Sequence, residues 1–379
     1  MTSDRNKNKN KYNLNEWAGA FGDLGVFIPY VIGYVSIVGL NPVGVLFSFG
    51  ILMIGAGLFY KTPMPIQPMK AIGGAAIASG GAISPQVIWG AGIATGIIWL
   101  LLGVSGSMKW IAKIITKPVL QGIMLGLGIA FMLEAVRMIK TNLVIGLVSL
   151  ALILILNKMD KFPSIFVVLI LGCVIAAFQQ PAIINFSLMI PEFKTPAVTL
   201  TSLSWNDILS GTLLLALPQM PLTLGNAIVA LTSENNRLFP ARPVSERKIA
   251  ISHGIINLIS PILGGVPVCH GAGGLAGHTR FGAKTGGAMV ILGGILVILS
   301  LFFSTSIILL LEALPKSILG VLLFFAGLEL TLSTRGASQE RENYIIMLVT
   351  AAIGISNMGA GFVAGVLLQQ LIQRRIVKV

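Results

Sequence analysis

Cysteine occurs only twice in the 379 residues, as Cys173 and Cys269, and both lie in apolar or Gly-rich segments. That leaves no support for a disulfide framework or a zinc knuckle. Charge is scarce as well: 10% of the residues are Asp, Glu, Lys or Arg, against 55% hydrophobic and a mean hydropathy of +0.90. A soluble domain of that makeup would leave extensive apolar surface in water, so the chain reads as a polytopic membrane protein. Acidic residues are half as many as basic ones, 13 against 26, for a formal net charge of +13. The basic residues lie in short loops between apolar runs, so the charge reads as membrane topology and no nucleic acid is expected as a partner. Residues 1–13 form a polar, basic tail. A long polar-spotted segment follows them rather than a short apolar region with a cleavage site, so no cleaved signal is expected.

Apolar runs bounded by charges, Pro or Gly give fourteen segments. The first seven cover 15–34, 41–60, 64–80, 85–106, 117–138, 141–157 and 163–180. The second seven cover 206–231, 246–265, 267–282, 285–304, 315–332, 342–356 and 358–374. Pro181 to Trp205, a polar loop with Pro and Thr, separates the two sets. With the N-terminus in the cytoplasm, Arg137, Lys140, Lys194 and Lys316 face outside, Lys70 lies within the membrane, and every other Lys and Arg falls on the cytoplasmic side. The positive-inside rule therefore predicts both termini in the cytoplasm. An odd number of spans in each half makes the second half enter from the opposite side, so the halves form an inverted repeat. Val119-Leu120-Gln121-Gly122 and Ser317-Ile318-Leu319-Gly320 echo each other at a spacing of about 200 residues, the spacing that also separates the two segments described next.

Pro63-Met64-Pro65-Ile66-Gln67-Pro68-Met69-Lys70 sets three prolines within six residues. Each lacks an N–H and fixes φ, so no continuous helix can pass through. The chain is expected to run extended to Gln67 and to start a helix near Pro68, with Lys70 in its first turn. At about 1.5 Å per residue, a helix from there to Ser79 crosses roughly half of a ~30 Å hydrocarbon core. Gly264-Gly265-Val266-Pro267-Val268-Cys269-His270-Gly271-Ala272-Gly273-Gly274-Leu275 repeats the device, with Met64-Pro65-Ile66-Gln67 aligning on Val266-Pro267-Val268-Cys269. Interrupted segments at matching places in two halves point to a transporter's binding site. Topology brings both helix N-termini to the membrane midplane, where unpaired N–H groups and about half a positive charge each favour an anion.

These residues carry a resemblance. Gly22-Asp23-Leu24-Gly25 with Pro29, the Pro63–Lys70 motif, Pro218-Gln219-Met220-Pro221-Leu222-Thr223 with Asn226, and Pro267 to Gly277 with Arg280-Phe281-Gly282-Ala283 are similar to the molybdate transporter family, a branch of the sulfate permease superfamily. The resemblance implies an all-α membrane protein with about 14 spans in a 7+7 inverted repeat of the uracil-permease and sulfate-permease type. Its core domain comprises spans 1–4 (14–106) and 8–11 (206–305). Its gate domain comprises spans 5–7 (107–182) and 12–14 (306–379), with an external loop at 183–205. A STAS domain, which many sulfate permeases carry, is not expected. Related carriers often have an acidic residue in span eight, where this chain has Gln219 and Asn226.

The expected function is secondary transport of a tetrahedral oxyanion across the cell membrane, molybdate first, with sulfate or a broad anion range as the alternative substrate and an anion channel as the alternative mechanism. Gln67, Met69, Lys70, Gln219, Asn226, Cys269, His270, Gly271 and Ala272 are the expected substrate-binding residues, and Asp23 is the coupling candidate, with an ion pair to Lys70 as its purely structural role. Glu329 is expected to make a structural hydrogen bond, and His253 to be a satisfied helix histidine. His270, His278 and Cys269 lack a carboxylate or second cysteine at ligand spacing, so neither a metal nor a cofactor is expected. No nucleophile, base and orienting acid converge, so an enzyme is not expected. The lipid bilayer and the oxyanion are the expected partners, and a homodimer is left open.

Overall fold

The computed structural model describes residues 9–108, 116–156, 164–179, 190–199, 202–335 and 340–377. They form an almost wholly helical protein. In the first half α1 (Leu14–Ala20), α2 (Leu24–Ser36) and α3 (Pro42–Tyr60) precede a two-residue strand β1 (Gln67–Pro68) and α4 (Lys70–Ala78). Then come α5 (Pro85–Ser105), α6 (Lys117–Ile139), α7 (Leu143–Leu156) and α8 (Ser164–Gln179). The second half opens with α9 (Trp205–Leu238) and α10 (Glu246–Ile262), followed by strand β2 (Val268–Cys269) and α11 (Ala272–Arg280). It continues with α12 (Gly287–Ala313), α13 (Lys316–Leu332), α14 (Arg341–Ser356) and α15 (Met358–Gln373). Among the described residues α3, α5, α6, α9 and α12 are each long and apolar enough to cross a membrane, and α1 with α2 makes a sixth as a bent pair.

Helix starts follow local chemistry. Asn41 accepts from Val43 N and Ser84 Oγ from Val87 N, each just ahead of a proline that needs no donor in the first turn. Glu16, buried near the start of the chain, takes the backbone N–H groups of Lys284, Thr285 and Ala288 at 2.9–3.1 Å and so caps the beginning of α12. Lone glycines let helices touch backbone to backbone. Where α6 crosses α13, a Cβ on Gly128 would stand 2.6 Å from Gly327 O, and one on Gly327 would stand 2.7 Å from Gly128 O.

The structure corrects the expected course at five places. The first segment bends by 44° between α1 and α2, at Phe21–Asp23. α4 starts at Lys70 rather than Pro68, because Pro68 pairs with Val268 and Met69 stays extended at ψ 120°. α11 likewise begins only at Ala272, after an extended Gly271. α12 runs unbroken through residue 305 to Ala313, so the change of direction in the second half comes at Leu314–Pro315. The expected segment end at Ser304 fails because no Pro or Gly follows it before Pro315, and the Thr305 hydroxyl is satisfied outside the helix, accepting from Lys194 Nζ at 2.8 Å and donating to Glu192 at 2.9 Å. α9 also outruns its expected end at 231 and contains two wide turns, Thr212–Ala216 and Thr223–Ala230, on either side of Pro218 and Pro221. Each proline removes a donor and crowds the preceding turn, and i→i+5 bonding widens the helix around them.

Candidate functional site

β1 and β2 pair antiparallel, Gln67 opposite Cys269 and Pro68 opposite Val268. The two residues that the sequence motifs align, Gln67 and Cys269, are thus partners in space. Met69 N donates to Pro267 O at 3.0 Å, extending the tie to the first residue before α4. Two short helices therefore start side by side, each of nine residues and each with no side chain capping its first turn from its own N-cap position.

Different neighbours hold the two extended strands. Asn257 of α10 clamps β2: its Oδ1 accepts from Val268 N at 2.9 Å and its Nδ2 donates to Val268 O at 2.7 Å. His270 is fully buried, and its Nδ1 must carry the proton because it faces Pro65 O at 3.0 Å, an acceptor only. The neutral ring then accepts at Nε2 from Ser252 Oγ, 2.9 Å away. On the other strand, Gln67 Nε2 donates to Asp23 Oδ2 at 2.6 Å. Gln219 Oε1 of α9 accepts from Ala71 N at 2.8 Å and so satisfies one donor of the first turn of α4.

A cavity of about 340 Å³ opens where the two helices begin. Gly25, Tyr30, Gln67 and Lys70 line it with Gly273 of α11, Phe325 and Glu329 of α13, and Ser333 just past the end of that helix. Gln67 Oε1 is buried with no hydrogen-bond partner among the described residues. A Cβ on Gly271 would overlap that oxygen, so only glycine admits the Gln67 carboxamide there. A larger cavity, about 580 Å³, lies between α3 and α10, apolar along most of its length with Arg247 and Lys248 at one end. It holds the first turn of α10 but neither of the paired starts of α4 and α11.

The cavity thus gathers Gln67 and Lys70 from the expected set, with Gly271 and Ala272 at the start of α11 close by. Asn226 approaches the same place, its Nδ2 3.4 Å from a Cβ built on Gly271. Asp23 sits one hydrogen bond behind, on Gln67. Gln219 holds a helix end, Met69 is buried, and the Cys269 thiol faces Pro68 O at 3.8 Å. His270 lines the larger cavity instead. Three expectations from sequence change here: Asp23 takes Gln67 and not Lys70 as its bonded partner, the Glu329 side chain makes no hydrogen bond with a described residue, and both ring nitrogens of the buried His253 lack a hydrogen-bond partner among the described residues. Sequence reading passed over Tyr30, whose hydroxyl lies 3.4 Å from Lys70 O, and Ser333, which sits one turn beyond Glu329. Their i+7 and i+4 spacing from Asp23 and Glu329 was the available signal.

A family model described as "Molybdate transporter of MFS superfamily" matches residues 15–131 and 211–330, which hold every site residue expected from the sequence. Molybdate transporter 2 of Arabidopsis thaliana is 32% identical over 95% of this chain and 88% of its own length. The chain belongs to the molybdate transporter family. This is a family of transporters, not of enzymes. The fold of this family member is that of sulfate-permease and SLC26 carriers: it superposes on the transmembrane domain of the cyanobacterial bicarbonate transporter BicA with a TM-score of 0.67 at 16% identity, covering 94% of this chain and 99% of that one. Murine Slc26a9 in the inward-facing state gives 0.72 at 15% identity, covering 100% of this chain and 71% of that one.

Proposed function

We propose that this transporter carries a tetrahedral oxyanion, molybdate first, by alternating access around the paired half-helices. The observation that carries the reading is the joint opening of both helix starts, with Lys70, onto one cavity. Two helix N-termini contribute about half a positive charge each and Lys70 one more, which together offset a divalent anion. The Arabidopsis relative is a molybdate transporter, which supports the choice of substrate.

The 7+7 inverted arrangement is part of the proposal. It is supported by packing that repeats on exchange of the halves: α5 lies against α10 as α12 lies against α3, and α6 pairs with its own counterpart α13. The core is then α1–α5 with α9–α12, and the gate is α6–α8 with α13–α15. Both termini face the cytoplasm of a cell-membrane protein on the positive-inside argument. Asp23 is the coupling candidate, since an ionised carboxylate behind Gln67 leaves one negative charge uncompensated when a dianion arrives.

Uptake of labelled molybdate into proteoliposomes, with sulfate, tungstate and phosphate as competitors, tests the function. Saturable uptake with counterflow supports it. Unitary currents without counterflow would make the protein a channel, and preferential competition by sulfate would change the substrate. In the same assay Asp23→Asn should bind molybdate normally yet lose acceleration by an inward proton gradient. Full proton-driven accumulation in that variant would move coupling to another residue.

A further inference from the structure

Lys70 and Glu329 are the only charged side chains that line the 340 Å³ cavity among the described residues. They come from different helices, Lys70 at the first position of α4 and Glu329 on α13, the helix that packs against α6 and α2. Neither makes a hydrogen bond or an ion pair with any described residue, and Asp23, the other carboxylate at hand, is already held by Gln67 Nε2 at 2.6 Å. An ammonium within a membrane is costly unless something of opposite charge meets it, and such residues pair with one another. A bound oxyanion meets Lys70 in the loaded carrier. In the empty carrier that anion is gone and Asp23, bonded to Gln67, acts on Lys70 only at a distance, yet the binding site must pass through a closed, water-poor state to return.

We propose that Glu329 is the counter-charge of the empty carrier: when the core closes on α13 without substrate, the Glu329 carboxylate takes the oxyanion's place on Lys70. The inference rests on the oxyanion reading of this cavity. It assigns Glu329 a role in one half of the cycle only. Loaded carriers cross with Lys70 neutralised by the oxyanion, so exchange of internal for external substrate does not need the carboxylate. Net uptake into vesicles without internal substrate needs it at every turn, because each cycle includes an empty return.

The test compares the two modes in proteoliposomes. Glu329→Gln should slow net molybdate uptake by about tenfold or more, since Lys70 then crosses the low-dielectric stage without a directly paired counter-charge. Molybdate homoexchange should stay within about twofold of wild type, with affinity unchanged or tighter because a competing anion is gone. Glu329→Asp, which keeps the charge, should recover a good part of net uptake. A protein impaired only in folding would lose both modes together.

Proximity gives a readout independent of transport. In a chain with Cys173→Ala and Cys269→Ala, the pair Lys70→Cys and Glu329→Cys should form an intramolecular disulfide without ligand on mild oxidation, while Glu329→Cys alone should give none. Net uptake and exchange falling in parallel in Glu329→Gln would overturn the proposal, as would a wild-type protein that exchanges molybdate but never accumulates it. Absence of the cross-link from the paired-cysteine chain would overturn it too. A wild-type protein that neither exchanges nor accumulates molybdate would instead remove the function on which the inference rests.

Discussion

The two half-helices are near copies in length and entry, yet they meet the site in opposite ways. α4 brings a full charge, Lys70, and has one of its first N–H groups taken by Gln219 from another helix. α11 brings no charge to the cavity and no capping side chain; Gly271 and Gly273 leave its first turn bare. One helix supplies attraction while the other supplies close approach of backbone. Their supports differ accordingly. Asn257 and His270 lock the strand leading into α11 through neutral hydrogen bonds, whereas the strand leading into α4 is tied through Gln67 to a carboxylate. A change of charge at the site therefore reaches the first half of the protein more directly than the second.

The sharpest way to break this contrast is at Gly271 and Gly273. Gly271→Leu should abolish molybdate binding while the protein still inserts, and even Gly271→Ala should weaken binding by tenfold or so, about 1.4 kcal/mol, because the added methyl overlaps Gln67 Oε1. Gly273→Ala should weaken binding less, since no protein atom lies within 4 Å of a Cβ there. Calorimetric titration of the three variants decides the point, and equal effects at 271 and 273 would remove the close-approach role of Gly271. Next in size is Lys70→Ala, expected to cost about 1.5–3 kcal/mol of molybdate affinity, the range for a hydrogen bond to a charged group. Unchanged affinity would mean that the helix ends alone suffice. The smallest effect on binding belongs to Gln219→Leu, which leaves Ala71 N–H buried without its acceptor. It should lower thermal stability by about 1–3 kcal/mol while affinity falls much less, a split read from melting curves beside titrations.

Much of the architecture was legible because membrane spans and their interruptions have strong one-dimensional signals. Pro63, Pro65 and Pro68 forbid a helix whatever surrounds them, and the aligned Gln67 and Cys269 are the residues that pair. Helices α3, α5 and α6 fall within a residue of their expected ends for the same reason. What could not be read depends on partners far away in sequence. Gln219 looks like a ligand in a Pro-rich motif, but its carboxamide meets Ala71, 148 positions distant. His270 lies beside Gly271 in the chain, yet Pro65 O and Ser252 turn its ring toward the other cavity. The bend before Asp23 is likewise tertiary. His278 Nδ1 of α11 donates to Gly19 O at 2.8 Å, and Gly22 lies against Gly277. Glu329 illustrates the reverse case: a lone acid in an apolar helix reads as a structural hydrogen bond until it is seen to line one cavity with Lys70.

The most direct measurement is a structure of the protein with molybdate bound, with the metal located by its anomalous scattering. A single peak in the cavity between Gln67, Lys70 and Gly273, within hydrogen-bonding reach of the first turns of both α4 and α11, is the predicted result. A peak in the larger cavity beside Lys248, or one contacting only α4, would contradict a site built from the two half-helices together.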